Sequence, residues 1–179
     1  MRKCLVVVDY QKDFVDGALP CGQMAIDIED NIYNKIQKYR ENEDDVLFTF
    51  DTHLEEDYKN TTEGKIFPLH CVEGTEGWEL YGKIKDLCEN PYNDIIKETY
   101  GSFNLAMSLF DGCYDEVEFI GVATNVCVLH NVILFYNDSP ETKITVDASC
   151  CASFDKTLHE QALDMMQGIG VNVINRKES

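Results

Sequence analysis

Residues Ile120-Gly121-Val122-Ala123-Thr124-Asn125-Val126-Cys127 carry an apolar strand pattern into the start of a helical one. Open α/β proteins put reactive groups at such junctions, and Cys127 stands there as a candidate nucleophile. A sulfur near the positive end of a helix is expected to favour thiolate, the form that attacks carbonyl carbon. Outward from this stretch, apolar runs rich in β-branched and aromatic residues recur at 4–8, 45–50, 93–97, 115–122, 142–147 and 171–174. Between them Met24 to Tyr39, Ser102 to Phe110, Val126 to Tyr136 and Lys156 to Met166 carry apolar residues near helical spacing. This alternation predicts an α/β fold built on a six-stranded, mostly parallel, doubly wound sheet.

With 179 residues, 44% of them hydrophobic, the chain is expected to form one domain over 1–179; no repeat or Pro/Gly/Ser-rich linker divides it. A formal charge of −18 argues against nucleic acid and anionic membranes as partners and leaves a small or neutral molecule as the easier one. The apolar run Leu5 to Val8 is too short for a signal sequence, and no segment reaches membrane-spanning length. The eight cysteines, at 4, 21, 71, 88, 113, 127, 150 and 151, lack metal-finger spacing, so reduced thiols in the cytoplasm are expected. The longest irregular piece, 52–77, holds His53 and His70, and loops of that length are usually functional or disordered.

In a doubly wound sheet, ligands bind beyond the carboxyl ends of the strands. Here Asp9 ends the first strand, Asp51 the second and Lys97 the third, while Val122 to Cys127 follows the fourth. Singly, each has a bland reading: an acid capping a turn, a solvated lysine, a buried inert cysteine. Jointly they bring ionisable and nucleophilic groups to one rim.

The segments Val8-Asp9-Tyr10-Gln11-Lys12-Asp13-Phe14, Asp51-Thr52-His53, Lys97 to Phe103 and Gly121 to Val128 resemble, in this order and spacing, the signatures of the isochorismatase-like cysteine hydrolases. The resemblance covers nearly the whole chain and implies a single-domain, three-layer α/β/α fold. It implies a triad in which Asp9 accepts the thiol proton, Lys97 holds the charges and Cys127 attacks the substrate carbonyl to form a thioester. It further implies a cis peptide before Ala123 and an oxyanion hole of the Ala123 and Cys127 backbone amides. The isochorismatase branch does without the cysteine nucleophile, so Cys127 points to an amidase.

Asp51, His53, Glu63 and His70 offer two carboxylates and two imidazoles, a set suited to Zn²⁺, Mn²⁺ or Fe²⁺, although a polar acidic loop with scattered histidines is the bland alternative. The run from Asp51/His53 to His70-Cys71-Val72-Glu73-Gly74-Thr75-Glu76-Gly77 is similar to nicotinamidases, in which a divalent metal anchors the pyridine nitrogen beside the triad. A second loop histidine, common in that branch, is missing; Glu63 matches the position of an alternative glutamate ligand, with Glu55, Glu56 and Asp57 as competitors. Phe14, Phe67, Tyr100 and Phe103 are candidate walls for a flat substrate, with Leu19 a weaker one.

The implied activity is hydrolysis of nicotinamide to nicotinate and ammonia in NAD salvage. The rivals are a cysteine amidohydrolase of carbamoyl or ureido compounds, which would not need the metal set, and a non-catalytic binding member of the fold. A homo-oligomer stays open, since members of the family commonly assemble. His130 and His159 read as structural, Cys150-Cys151 as two small thiols, Trp78 to Leu80 as a helix start, and Glu41 to Asp45 as a solvated helix exit.

Overall fold

Along β1 (Lys3–Val8) side chains alternate between two cores: Leu5 and Val7 join one, while Cys4, Val6 and Val8 join the other. A strand buried on both faces must be covered on both, and the chain supplies two helical layers. The computed structural model describes residues 1–91 and 94–176. Within them β1, β2 (Asp45–Asp51), β3 (Ile95–Lys97), β4 (Glu116–Val122), β5 (Lys143–Ala152) and β6 (Asn172–Ile174) form one sheet in the order β3-β2-β1-β4-β5-β6, parallel throughout. The third expected strand thus begins at Ile95; Asn93, its expected first residue, lies outside the described residues, as do 177–179 at the end of the expected domain.

The helices are α1 (Lys12–Val15), α2 (Gln23–Ile26), α3 (Glu29–Glu41), α4 (Glu55–Tyr58), α5 (Phe103–Asp111), α6 (Leu129–Asp138) and α7 (Lys156–Gly168). Ile32, Ile36 and Tyr39 of α3 cover the face that holds Leu5 and Val7. Leu105 and Leu109 of α5, Val132 and Phe135 of α6, and Leu163 and Met166 of α7 cover the other. Ser102 and Asp155 cap α5 and α7 through their side chains, accepting from Leu105 and Leu158 N–H. Among the described residues no helix is long and apolar enough to cross a membrane.

Several local expectations change. The helix expected over 24–39 is two, because the Ala25 carbonyl accepts the Tyr10 hydroxyl at 2.7 Å and a distant Ile28 N–H at 3.4 Å instead of continuing the ladder. The helix expected from Val126 begins as a wide turn, Thr124–Val128, in which Val128 N–H reaches Ala123 O at 3.2 Å before α6 starts. Trp78 closes a 3-10 turn, Glu76–Trp78, rather than opening a helix, and Leu80 pairs with Gln11 as an antiparallel bridge. The acid run at 41–45 leaves α3, but its last member, Asp45, already opens β2 and accepts from the Tyr114 hydroxyl.

The fifth strand runs past 147 to Ala152 because it bulges: Phe119 pairs with Val146, yet Gly121 pairs with Cys151. Cys150 and Cys151 consequently face opposite cores as free, buried thiols. Gly121 lies at φ +115°, and a Cβ there would sit 2.1 Å from the Val8 carbonyl oxygen. Neither strand can give way, since both are central in the sheet. Gly121→Ala is expected to lower unfolding free energy by about 3 kcal/mol or more, measured by urea denaturation; a loss below about 1 kcal/mol would show that β1 and β4 can separate cheaply.

Candidate active site

Strand order reverses between β1 and β4: the chain builds outward to β3 on one side, then returns to build β4, β5 and β6 on the other. Asp9 leaves β1 at φ +45°, a left-handed conformation that aspartate tolerates better than most residues. Its N–H donates to Thr49 Oγ1 at 3.1 Å, and the same hydroxyl donates back to the Asp9 carboxylate. Across the switch point the Val122–Ala123 peptide is cis, and the wide turn that follows brings Cys127 against the same crevice, 3% exposed.

Lys97 joins these groups. Its ammonium lies 2.6 Å from Asp9 Oδ2, 3.0 Å from Asp51 Oδ1 and 3.7 Å from Cys127 Sγ, with all four side chains buried. Burial alone would lower the Lys97 pKa, but Asp51 and Asp9 hold it well above the ordinary lysine value. Burial likewise opposes ionisation of Asp51, yet Lys97, aided by His53, keeps its carboxyl far below the usual carboxylate range. Asp9 goes the other way: burial, with Lys97 opposing and the Asp51 charge assisting, raises it.

Burial also pushes the Cys127 thiol well up, with Lys97 opposing and Asp9 and Asp51 adding to the rise. This corrects the expectation of a resting thiolate. Two carboxylates beside one lysine leave no net positive charge for the sulfur, and burial outweighs the helix terminus. The resting sulfur is therefore a thiol, beside an Asp9 carboxyl whose proton affinity is itself lifted.

On the far side of Lys97 the other oxygen of Asp51 turns toward two imidazoles, 3.1 Å from His53 Nε2 and 3.3 Å from His70 Nε2. Glu63 approaches them at 4.0 and 3.6 Å, and one ligand atom from each of the four lies within 4.8 Å of the others. The competing acids Glu55, Glu56 and Asp57 are exposed on α4, outside the cluster. His70 Nδ1 lies 2.8 Å from the Pro68 carbonyl, which can only accept, so the proton sits on Nδ1. Its Nε2 points inward, buried and with no well-formed hydrogen bond; burial disfavours a second proton there, but Asp51 and Glu63 outweigh it and raise the affinity of this nitrogen for positive charge. An orphaned imidazole nitrogen among two carboxylates and a second imidazole fits a borderline divalent cation, and a carbonyl behind the ring is the usual support of such a ligand.

Sequence reasoning passed over the residues that hold this framework. Gln11 clamps Asp51 by accepting its N–H at 2.8 Å and donating to its carbonyl at 2.9 Å, and donates also to Trp78 O at 2.8 Å. Asn131 donates to the carbonyls of Cys127 at 2.8 Å and Tyr100 at 3.2 Å and accepts from Ser102 N–H. Gln11 lies inside the Val8-to-Phe14 segment and carries a local signal there; Thr49 and Asn131 carry none until strand pairing and helix packing are known. His159 is buried and holds Thr124 of the wide turn at 2.8 Å, whereas His130 is exposed and bonded to Val126 O.

A narrow cavity opens over Cys127, walled by Phe14, Leu19, Phe67 and Tyr100, with Glu63 reaching in from the histidine cluster. Phe103 is not part of it: as the first residue of α5 it is 74% exposed, because Leu105, Ala106 and Leu109 define the buried face of that helix. The cavity takes Phe154 instead, a residue in the turn between β5 and α7 that the motifs do not reach.

The profile of a family described as the isochorismatase domain matches residues 3–178. The chain is 34% identical to an uncharacterized isochorismatase family protein, PncA, of Bacillus subtilis, over 97% of this chain and 99% of that one. The crystal structure of nicotinamidase PncA from Bacillus subtilis superposes with a TM-score of 0.86 at 35% identity, covering 97% and 99% of the two chains. A pyrazinamidase of Pyrococcus horikoshii in complex with zinc gives 0.82 at 26% identity, covering 98% of this chain and all (100%) of that one.

Proposed function

Because the chain belongs to the isochorismatase domain family, we propose that it is a nicotinamidase, hydrolysing nicotinamide to nicotinate and ammonia in NAD salvage, with pyrazinamide as a second substrate. The observation that carries the reading is the double engagement of Asp51: one oxygen on Lys97 beside Cys127, the other on the two imidazoles. A nucleophile and a cation cluster sharing one carboxylate suit a substrate that is anchored at one end and attacked at the other. A carbamoyl or ureido amidase would not need the second half.

In this reading Asp51, His53, Glu63 and His70 would hold a divalent ion, zinc in preference to manganese or iron, which when bound supplies a Lewis-acid anchor for the pyridine nitrogen. Phe14, Phe67 and Tyr100 confine the ring, so that its carboxamide carbon meets Cys127 Sγ. Asp9 takes the thiol proton as sulfur attacks, a transfer favoured by the raised proton affinity of its buried carboxyl. The backbone N–H groups of Ala123 and Cys127 receive the oxyanion. As the C–N bond breaks, Asp9 returns the proton to the departing nitrogen and ammonia leaves, with the acyl group on sulfur. Asp9 then draws a proton from water, whose oxygen attacks the thioester carbonyl; nicotinate leaves and the proton returns to sulfur. Lys97 keeps its charge throughout and holds Asp9 and Cys127 in register. A cytoplasmic setting accords with eight free thiols, and assembly into a homo-oligomer is left as an inference from the family.

The test is ammonia release from nicotinamide by the purified protein before chelation, after it, and after return of zinc, manganese or iron. Release that disappears on chelation and returns with metal is the expected result. Undiminished release from metal-free protein would remove the anchoring role, and no release from metal-loaded protein would move the reading to another amide.

A further inference from the structure

Cys127 is 3% exposed, so a substrate reaches the sulfur only through the cavity above it, and the wall that yields or resists determines what enters. Phe14 and Ala123 are 3% and 2% exposed and locked in the core. Phe154 lines the same cavity and is 36% exposed, more open than the half-buried Leu19, Phe67 and Tyr100 beside it. It stacks on Phe67, centroids 6.3 Å apart and planes at 30°.

The two rings arrive from different parts of the fold. Phe67 belongs to the loop that carries Glu63 and His70, and its N–H is bonded to Glu63 O at 2.9 Å. Phe154 lies between two anchored neighbours: Ser153 donates from its hydroxyl to Asn125 of the nucleophile turn, and Asp155 caps α7. The backbone on either side of Phe154 is thus held in register with Cys127, while the side chain itself is 36% exposed and not enclosed by the core. A side chain with that freedom closes a cavity without being needed to fold the protein.

On the premise that the protein is an aromatic amidase, we propose that Phe154 is a specificity-determining residue: stacked on Phe67, it forms the movable outer wall of the Cys127 cavity and limits substrates to a single flat ring. The stack spans the two halves of the site, so a ring that extends past the anchored heterocycle must displace it. Bicyclic aromatic carboxamides are excluded by the wall and not by the chemistry, which is the same for both.

The experiment compares nicotinamide with quinoline-3-carboxamide for the metal-loaded wild type, Phe154→Ala and Phe154→Leu, reading kcat and KM separately. The expected result is a shift in the kcat/KM ratio toward the bicyclic substrate of about tenfold or more in Phe154→Ala, within the range that pocket shape achieves, with a smaller shift in Phe154→Leu. The nicotinamide KM should rise while its kcat holds. An equal loss for both substrates would overturn the proposal, since it would mean that Phe154 only supports the fold. Modification of Cys127, followed by mass spectrometry of its peptide, tests the wall without any substrate. Phe154→Ala should speed N-phenylmaleimide about tenfold more than iodoacetamide, and equal acceleration overturns the wall. If the wild type releases no ammonia from nicotinamide, the amidase reading fails on that result, while the labelling comparison still decides whether Phe154 screens by size.

Discussion

Cys127→Ala is expected to abolish ammonia release, with kcat falling about 10⁴-fold or more, while the protein stays folded and still binds nicotinamide. The sulfur is the atom that forms the covalent bond, and no other thiol can replace it. Cys71, buried nearby in sequence from His70, belongs to the core cluster of Leu5 and Val7, whereas Cys127 belongs to the opposite one. Removing one buried sulfur leaves the Lys97 ion pairs with Asp9 and Asp51 intact, so thermal stability should change by only a few degrees. Titration calorimetry with nicotinamide on the metal-loaded variant measures the binding half. Turnover within tenfold of wild type would remove Cys127 as nucleophile.

The second large effect is expected from Asp51→Asn, which should cut kcat/KM about 10³-fold or more and weaken divalent metal binding beyond about 100-fold, given that even outer partners of metal ligands are worth roughly 10–100-fold. Three consequences converge on this one charge. The histidines lose the carboxylate that lies 3.1 and 3.3 Å from their Nε2 atoms. Lys97 loses one of its two counterions and turns wholly to Asp9. Asp9 loses the neighbouring negative charge that helps raise its proton affinity, and becomes a weaker base for the Cys127 thiol. The remaining Asp9–Lys97 pair is neutral overall, so the variant should fold. Competition with a chromophoric chelator reads the metal affinity and the ammonia assay reads the rate. Wild-type metal affinity together with a large rate loss would separate Asp51 from the cation cluster and leave it only its lysine.

Both expectations start from residues that stood out in the sequence because of where they fall. Asp9, Asp51 and Lys97 each end a strand, and strand ends in a parallel sheet share one rim. What spacing could not supply was register. Thr49 meets Asp9 because β1 and β2 pair with Val7 opposite Phe48, a fact of sheet geometry with no trace in a local motif. Glu63 could be preferred over Glu55, Glu56 and Asp57 only by likeness, since all four lie in one acidic loop; the fold separates them by turning the half-buried Glu63 toward the histidines and leaving the other three exposed. Phe103 misled because proximity to Lys97 and Tyr100 in sequence says nothing about which side of α5 faces the core.

The sequence by itself determined the class of fold and the rim at which chemistry collects, because the alternation of apolar periods dictates which elements form and a parallel sheet dictates where their ends lie. Tertiary structure alone decided the protonation of the nucleophile and the outer wall of the pocket, where Phe154 stands and Phe103 does not. The charge state of Cys127 depends on burial and on two carboxylates and a lysine that arrive from three strands, and summed fields of that kind are invisible to any window of residues. Phe154 meets Phe67 across 87 positions of chain only because the β5 bulge and the long loop after β2 fold over the same crevice.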